Sequence, residues 1–516
     1  MLLLSALLLL LPVNLNFCEG SRILALFPYP LKSHFIAFDA LFVELAKRGH
    51  DVTVMTSFPK NKNITNYHEI DSSHCLHIPD ILFDVGFAST EYKTAFHLIN
   101  FLQVVPELHE PILACNPIQD LLKTKEKYDL LITEAFCSDA LIPFAYILDL
   151  PLVLFSSLPI LPWYSDRVGN IDNPSFIQFQ FSDVLLEYHS TFYQRLYNVA
   201  TYVMSRICHK FIWEPKTNEL VRKYLGSGIP PVQEIAKNTS MILSFSHFSM
   251  NSPRPLVPSV VEVGGIHIED AAPLPKDIEK FINESTHGVI YFCLGSLLKA
   301  KTMPVHIRQA FEDAFRQLPQ RVLWKWENET LPNKPDNVMI KKWMPQRDIL
   351  AHPNIKLFIS HGGALGLNEA VFEGVPIIGI PFYGDQKMNI KTIQAAGAGE
   401  LLWYNDITAE HVLEKIKTVL NNKRYHENAK KLSSVFRDRP MSPTDNAVFW
   451  TEYVLRHKGA HHLKTAATHL EWYQYLLLDV IAFVLGALFV SFYLIRKLVK
   501  SLARAVFGKS KKTKVN

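Results

Sequence analysis

The chain has 516 residues, 48% hydrophobic and 20% charged, which leaves room for two or three domains and excludes wholesale disorder. Its net charge is only +4, and Arg496, Lys497, Lys500, Arg504, Lys509, Lys511, Lys512 and Lys514 crowd an acid-free stretch after Ile495. The rest is slightly acidic, so no basic stripe supports a nucleic-acid partner. The six cysteines, Cys18, Cys75, Cys115, Cys137, Cys208 and Cys293, form no CxxC pair, which speaks against a zinc or thioredoxin-type site.

Residues 2–11 are almost pure Leu and are followed by a more polar stretch. This pattern predicts a secretory signal peptide over residues 1–20. Its removal takes Cys18 and leaves an odd number of cysteines, hence at least one free thiol unless chains cross-link. Arg22–Phe27 is then a short apolar strand, and a loop through Pro28, Pro30 and His34 follows. Ile36 to Arg48 has helical spacing and stops at Gly49, and Asp51–Thr56 alternates as a β-branched strand. Strand, helix and strand in this order make a βαβ unit. Asp129–Thr133 and Leu152–Ser156 read as later strands of the same sheet. Residues 160–225 lose the βαβ rhythm and read as a helical insertion. Its aromatics Phe176, Phe179, Phe181, Tyr188, Phe192, Tyr193 and Tyr197 are expected mostly in the core.

A second α/β pattern follows the Pro-rich stretch Ser252–Pro258. Strands are expected at Val289–Leu294, Val322–Trp326, Val338–Lys341, Lys356–Ser360 and Val375–Ile380, with a helix from Pro304 to Leu318. Repeated β–α units argue for parallel sheets covered on both faces. Tyr475–Ile495 is apolar apart from Asp479 and Ser491, long enough to span a bilayer, and is preceded by the interfacial aromatics Trp472 and Tyr473. The basic tail behind it marks the cytosolic side. Lys512 and Lys514 resemble a dilysine retrieval signal of the endoplasmic reticulum; the same lysines would also suit an anionic lipid surface. Sequons at Asn63, Asn238, Asn283 and Asn328 are compatible with a lumenal body.

The chemistry concentrates in Phe358-Ile359-Ser360-His361-Gly362-Gly363-Ala364-Leu365-Gly366-Leu367-Asn368-Glu369 and on to Asp385-Gln386. A strand ends at Ser360 and a glycine-rich turn opens a helix, where backbone N–H groups and the helix dipole attract phosphate. His361 adds a donor, Glu369 can accept from ribose hydroxyls, and Asp385 with Gln386 can bind sugar hydroxyls. This run, with Trp343-Met344-Pro345-Gln346 upstream and Asp438-Arg439-Pro440-Met441-Ser442-Pro443 downstream, resembles the signature of the UDP-glycosyltransferases, family 1 of the glycosyltransferases. The animal membrane-bound branch, particularly its insect members, is the nearest in pattern.

The resemblance implies two Rossmann-like doubly wound domains of the GT-B type and a C-terminal transmembrane helix. The expected layout is an acceptor-binding domain over 21–255, a donor-binding domain over 256–458, a juxtamembrane segment over 459–474, the span over 475–495 and a cytosolic tail over 496–516. It also implies that Trp343 stacks on uracil and Gln346 holds uracil or ribose. Ser296, His361 and the Gly363 backbone would contact the diphosphate, Glu369 the ribose, and Asp385 and Gln386 the donor sugar. Two positions depart from the vertebrate pattern: Ala364 stands where Ser or Thr is usual, and Leu365 where Asn is frequent.

His34, in a Lys32-Ser33-His34-Phe35 loop, sits where the family places its general base, and a near-neutral pKa suits that work. A buried carboxylate would orient it; Glu134 and Asp139 are both candidates. The expected reaction is an inverting transfer from a UDP-sugar, UDP-glucose first and UDP-glucuronate as the alternative, to a small lipophilic or aromatic acceptor. No metal motif appears, and no cofactor is expected beyond the UDP-sugar co-substrate. O-glycosylation is the default, with a carbon acceptor left open, as is homo-oligomerisation. A non-catalytic lipophile carrier is the second reading. The lack of GxGxxG after the first strand discounts an oxidoreductase. The expected location is the endoplasmic reticulum membrane, single-pass, with the body in the lumen.

Overall fold

The computed structural model describes residues 20–60, 63–78, 84–86, 88, 107–136 and 139–507. The expected signal peptide (but for Gly20), Cys137 and the tail lysines from Lys509 onward lie outside the described residues. Two compact units result, residues 1–464 and 465–516.

The larger unit is built on two parallel sheets. The first is formed by β1 (Arg22–Phe27), β2 (Asp51–Thr56), β3 (Tyr67–Asp71), β4 (Leu130–Glu134), β5 (Leu152–Ser156), β6 (Thr239–Ser244) and β7 (Val260–Glu262), in the spatial order β3-β2-β1-β4-β5-β6-β7. The second holds β8 (Val289–Cys293), β9 (Arg321–Lys325), β10 (Val338–Lys341), β11 (Ile355–Ser360), β12 (Ile377–Gly379) and β13 (Gly399–Leu401), in the order β10-β9-β8-β11-β12-β13. In each sheet the winding reverses beside its first strand, between β1 and β4 and between β8 and β11. Crevices outside strand carboxyl ends at such reversals are where doubly wound folds bind ligands.

Both sheets are covered on both faces, so their strands are apolar throughout rather than alternating. Leu24 and Leu26 of β1 feed one core, and Ile23, Ala25 and Phe27 the other. In the second sheet, Ile290 and Phe292 of β8 face one core and Val289 and Tyr291 the opposite one.

The helices used below are α1 (Lys32–Lys47), α2 (Phe192–Cys208), α3 (Glu214–Tyr224), α4 (Val305–Arg316), α5 (Ala364–Glu373), α6 (Gln386–Ala395), α7 (Pro443–Arg456) and α8 (Leu478–Phe507). A π-helical turn, His209–Trp213, joins α2 to α3. Ser442 caps α7 by accepting from Asp445 N, and Pro443 takes the first turn, where its missing N–H is not needed. α7 then returns to the first sheet: Ala447, Val448 and Val454 join the core around α1, and Arg48 Nη2 meets Asp445 Oδ1 at 2.5 Å. Arg439 stitches the crossing, donating to Gly264 O at 2.7 Å and Phe436 O at 2.8 Å. The first sheet with its cover thus draws on residues from both sides of the 255/256 position.

The aromatics of the insertion divide. Phe179 is buried, while Phe176, Tyr188, Phe192 and Tyr193 are exposed. The expectation that they mostly fill the core fails for these four. Cys75 and Cys115 form a disulfide, and Cys208 and Cys293 are buried free thiols. In the smaller unit, Leu477 adopts a left-handed conformation after the short helix Trp472–Tyr475, and α8 starts only at Leu478. α8 is about 45 Å long, has a mean hydropathy of 2.4 over its best window, and carries Arg496, Lys497, Lys500 and Arg504 within its helix.

Candidate functional site

His34 lies in the first turn of α1, straight after β1, and Glu134 is the last residue of β4. Because β1 and β4 are neighbours, the winding reversal brings the two together. His34 Nδ1 is 2.5 Å from Glu134 Oε1, and the ring of Phe136 stands edge-on to the imidazole at 4.7 Å. Glu134 is 2% exposed and His34 19%. The carboxylate is therefore sealed under the ring while the imidazole keeps an open edge. With Nδ1–H donating to Glu134, Nε2 is left as a proton acceptor.

Asp139 is not at the site. It meets Arg167 Nη2 at 2.5 Å and lies 3.6 Å from His209 Nε2. Burial pushes its carboxyl up, but the Arg167 guanidinium and His209 outweigh that and hold it well below the usual carboxylate range. The five-residue spacing from Glu134 carries Asp139 past the end of β4 and into a separate buried charge cluster.

The second reversal point supplies the remaining groups. α5 begins on Gly363 with no side-chain cap, so its first-turn N–H groups face the crevice as an anion site. The His361 ring is held between two glycines. A Cβ on Gly295 (φ +84°) would lie 2.5 Å from His361 Cε1, and one on Gly363 would run into Nε2. Only residues lacking a side chain allow this approach. Burial, with Lys325 nearby, lowers the His361 pKa to about 4, so the ring is neutral at physiological pH and has one N–H to donate. Its Nδ1 is buried without a hydrogen-bond partner among the described residues. Ser296 is exposed on the loop after β8. We expect Gly295→Ala to overpack this contact by about 1–3 kcal/mol, weakening UDP binding by roughly 10- to 100-fold in calorimetry.

Gln346 Nε2 donates to Glu369 Oε2 at 2.7 Å, pairing two of the expected ribose-side residues. His267, which the sequence did not single out, lies 3.6 Å from Glu369 Oε1 with a buried side chain. Trp343 is 60% exposed, and Lys32 Nζ sits 4.4 Å over its ring, a cation–π contact from the first sheet's side of the cleft. Burial, then Lys60 and Lys325, push the Lys32 pKa down.

At the other end, Asp385 Oδ2 accepts from Asn389 Nδ2 at 2.6 Å, and the same amide donates to Gly362 O at 3.0 Å. Gln180, from the helical insertion, reaches Asn389 Oδ1 at 3.3 Å. Burial lifts the Asp385 carboxyl to about 6, against the pull of Asn389, its own backbone and His34 across the cleft. Gln386 is buried, and its Oε1 accepts from Phe382 N and Tyr383 N, shaping the loop that carries Asp385. The unusual Ala364 and Leu365 pack against the apolar core around α1; the hydrophobic residues here bind the two halves together.

His267, Lys32, Lys325 and Asn389 were missed because single polar residues in a turn, in a helix or at an element's end carry no pattern of their own. Lys325, a cation closing an apolar strand, is the one with a visible signal. All four sequon asparagines are exposed. Among the described residues, His74, Cys75 and Cys115 are the one group close enough to hold a metal, and its two sulfurs are already joined in the disulfide.

The model of the family described as "UDP-glucoronosyl and UDP-glucosyl transferase" matches residues 24–513. The chain is 48% identical to UDP-glycosyltransferase UGT5 of Dactylopius coccus, covering 96% of this chain and 95% of that one. It is 41% identical to UDP-glucosyltransferase 2 of the same organism, with 98% and 97% covered. It is 32% identical to UDP-glucuronosyltransferase 2B13 of Oryctolagus cuniculus, with 99% and 98% covered. Among solved structures, the glycosyltransferase VinC in complex with DTDP superposes with a TM-score of 0.58 at 15% identity, over 84% of this chain and all of that one, a likeness of fold. With two doubly wound sheets and relatives aligned end to end, the chain belongs to the UDP-glucuronosyl and UDP-glucosyl transferase family and is a UDP-sugar glycosyltransferase.

Proposed function

We propose that the enzyme moves glucose from UDP-glucose to a hydroxyl of a small lipophilic, aromatic acceptor with inversion at the anomeric carbon. The observation that carries this reading is the His34–Glu134 pair, open at Nε2 and facing the Asp385 loop. Nε2 takes the acceptor proton as the acceptor oxygen bonds to the anomeric carbon. The bond from that carbon to the β-phosphate oxygen breaks, and its electron pair leaves with UDP. Glu134 holds the tautomer and stabilises the imidazolium. The α5 N-terminus, His361 and Ser296 receive the charge on the departing diphosphate. Trp343 and Gln346 bind the uracil end, Glu369 the ribose, and Asp385 and Gln386 the sugar. No metal or cofactor enters this scheme.

The family's description and the 41% identical glucosyltransferase support glucose, and the same description leaves UDP-glucuronate as the alternative. Microsomes carrying the chain, given either donor and a panel of phenols, decide this by UDP release and product mass. Turnover with UDP-glucuronate alone would reverse the donor assignment. UDP binding without turnover of any pair would favour the lipophile-carrier reading.

A second expectation is pH dependence. An ionised Asp385 accepts from sugar hydroxyls about twice as strongly as the neutral carboxyl, so UDP-glucose should lose affinity relative to UDP as the pH falls through about 6. Asp385→Asn should remove this inflection while UDP alone binds as before. Calorimetry with both ligands across pH 5–8 checks it.

The body is proposed to lie in the lumen of the endoplasmic reticulum, anchored by α8 with a cytosolic tail. The Cys75–Cys115 disulfide, which suits an oxidising compartment, and the exposed sequons support that side. Glycosylation at Asn63, Asn238, Asn283 and Asn328 is expected, each read as a mobility shift on deglycosylation.

A further inference from the structure

The segment between β7 and β8 carries the chain from the first sheet to the second, and it turns sharply just after β7. A Cβ on Gly264 would lie 2.6 Å from Ser246 O, and Gly265 takes φ +88°, a left-handed conformation that favours glycine. Ile268 N donates to Gly265 O at 3.0 Å and closes the turn. From outside, Arg439 Nη1 grips Gly264 O at 2.7 Å, and Thr444 Oγ1 donates to Ile266 O at 3.2 Å. His267 stands on this pinned turn. Its side chain is 2% exposed, and the ring of Phe245 lies 5.5 Å from the imidazole. Both ring nitrogens, Nδ1 and Nε2, are buried without a hydrogen-bond partner among the described residues. Nε2 lies 3.6 Å from Glu369 Oε1.

A buried imidazole that meets no partner destabilises the fold. A phenylalanine would fill the same space beside Phe245 without that cost, so packing alone does not account for a histidine here. The carboxylate it faces is held from one side only. Gln346 Nε2 donates to Glu369 Oε2 at 2.7 Å, and a Cβ on Gly366 would lie 2.8 Å from that Nε2, so the amide is itself seated against α5. An ionised carboxylate offers about four acceptor positions. Gln346 takes one on Oε2, and a His267 N–H takes one on Oε1. One then remains on each oxygen, a match for the two adjacent hydroxyls of a ribose. The 3.6 Å separation exceeds a charge-assisted hydrogen bond by roughly 0.8 Å, a gap that a small side-chain rotation closes. A glutamate held from both sides has already lost the rotamer freedom that would otherwise weaken nucleoside binding.

We propose that His267 is a positioning residue: its Nε2–H holds Glu369 Oε1 opposite Gln346, and the carboxylate fixed in this way recognises the ribose hydroxyls of the UDP-sugar. The proposal rests on the reading of Glu369 as the ribose-binding residue, and adds to it a group from the segment that joins the two sheets.

The test measures, by calorimetry on the full chain in detergent micelles, the binding of UDP and of its dideoxy analogue, which lacks both ribose hydroxyls. The wild-type chain should prefer UDP. His267→Phe should lower that preference roughly 10-fold through weaker UDP binding, while the dideoxy analogue binds as before and reports an intact fold. His267→Gln, whose amide can place an N–H where Nε2 stood, should restore most of the preference. Glu369→Ala should also lose it, and adding His267→Phe to Glu369→Ala should change little more. Equal weakening of both ligands in His267→Phe, or an unchanged preference for UDP, would overturn the proposal. Two failures are told apart by Glu369→Ala. If that variant keeps the full preference, the ribose assignment of Glu369 falls and the proposal with it. If it loses the preference while His267→Phe keeps it, the proposal alone falls. Should the His267→Phe chain not fold, His267→Asn, whose shorter amide cannot reach Glu369, is set against His267→Gln on the same two ligands. Equal preference in that pair would sink the proposal.

Discussion

His34→Ala should lower kcat for glucosyl transfer about 100- to 10,000-fold, the span that a positioned general base contributes. UDP affinity, read by calorimetry, should stay roughly unchanged, because His34 touches the acceptor side. Glu134 gives a sharper version. Glutamine there can offer an N–H to Nδ1, which moves the imidazole proton to Nε2 and leaves the wrong tautomer facing the acceptor. Glu134→Gln should therefore lose activity on a similar scale although volume and polarity are nearly kept. Glu134→Asp, a shorter carboxylate, should retain part of it. Transfer that survives His34→Ala at wild-type rate would remove His34 as the base.

Asp139 should behave in the opposite way. It is buried against Arg167 and near His209, and removing one partner of such a pair leaves an uncompensated charge at a cost of about 3–5 kcal/mol. Asp139→Ala should lower Tm and shorten the thermal half-life, while enzyme that remains folded turns over at near wild-type kcat. Adding Arg167→Met should recover part of the stability, since the orphaned cation is gone. The pH sign follows from the depressed pKa: the native carboxyl holds a proton less tightly than the unfolded one. Its stabilisation is present above the ordinary value of 3.8 and drains away as the pH falls below it. An acid-side stability loss that is blunted in Asp139→Asn checks this. Asp139→Ala with normal stability and no turnover would return it to the catalytic centre.

The contrast between these carboxylates marks what was legible in the sequence. A strand followed by a helix fixes where His34 emerges, and an apolar strand ending in Glu134 fixes where a neighbouring acid emerges, so the pair follows from local pattern. Asp139 finds its partners on the helix holding Arg167 and on the π-turn, joined by no periodicity, so both acids remained open. β1, β2 and β5 were readable as compact apolar runs between turn signals. β3 is a polar edge strand, β6 keeps a short apolar run flanked by Thr and Ser, and β7 and β13 span three residues each, too little pattern to announce a strand. The aromatics of the insertion were misassigned because helical spacing identifies a face but not the medium it meets.

The return of α7 to the first sheet bears on how the chain is made. Ala447, Val448 and Val454 complete the core around α1, so that half cannot seal itself when its last strand, β7, has been synthesised. At 5–20 residues per second, roughly 10–40 s of further translation separates β7 from α7. During that interval the apolar surface beneath α7 stays open while the whole second sheet is produced. The nascent chain therefore cannot mature as two successive beads, and a premature stop before Pro443 would leave both halves present yet the first unsealed. Such a product is a ready client for chaperones, although every residue of the site from His34 to Gln386 is already in it.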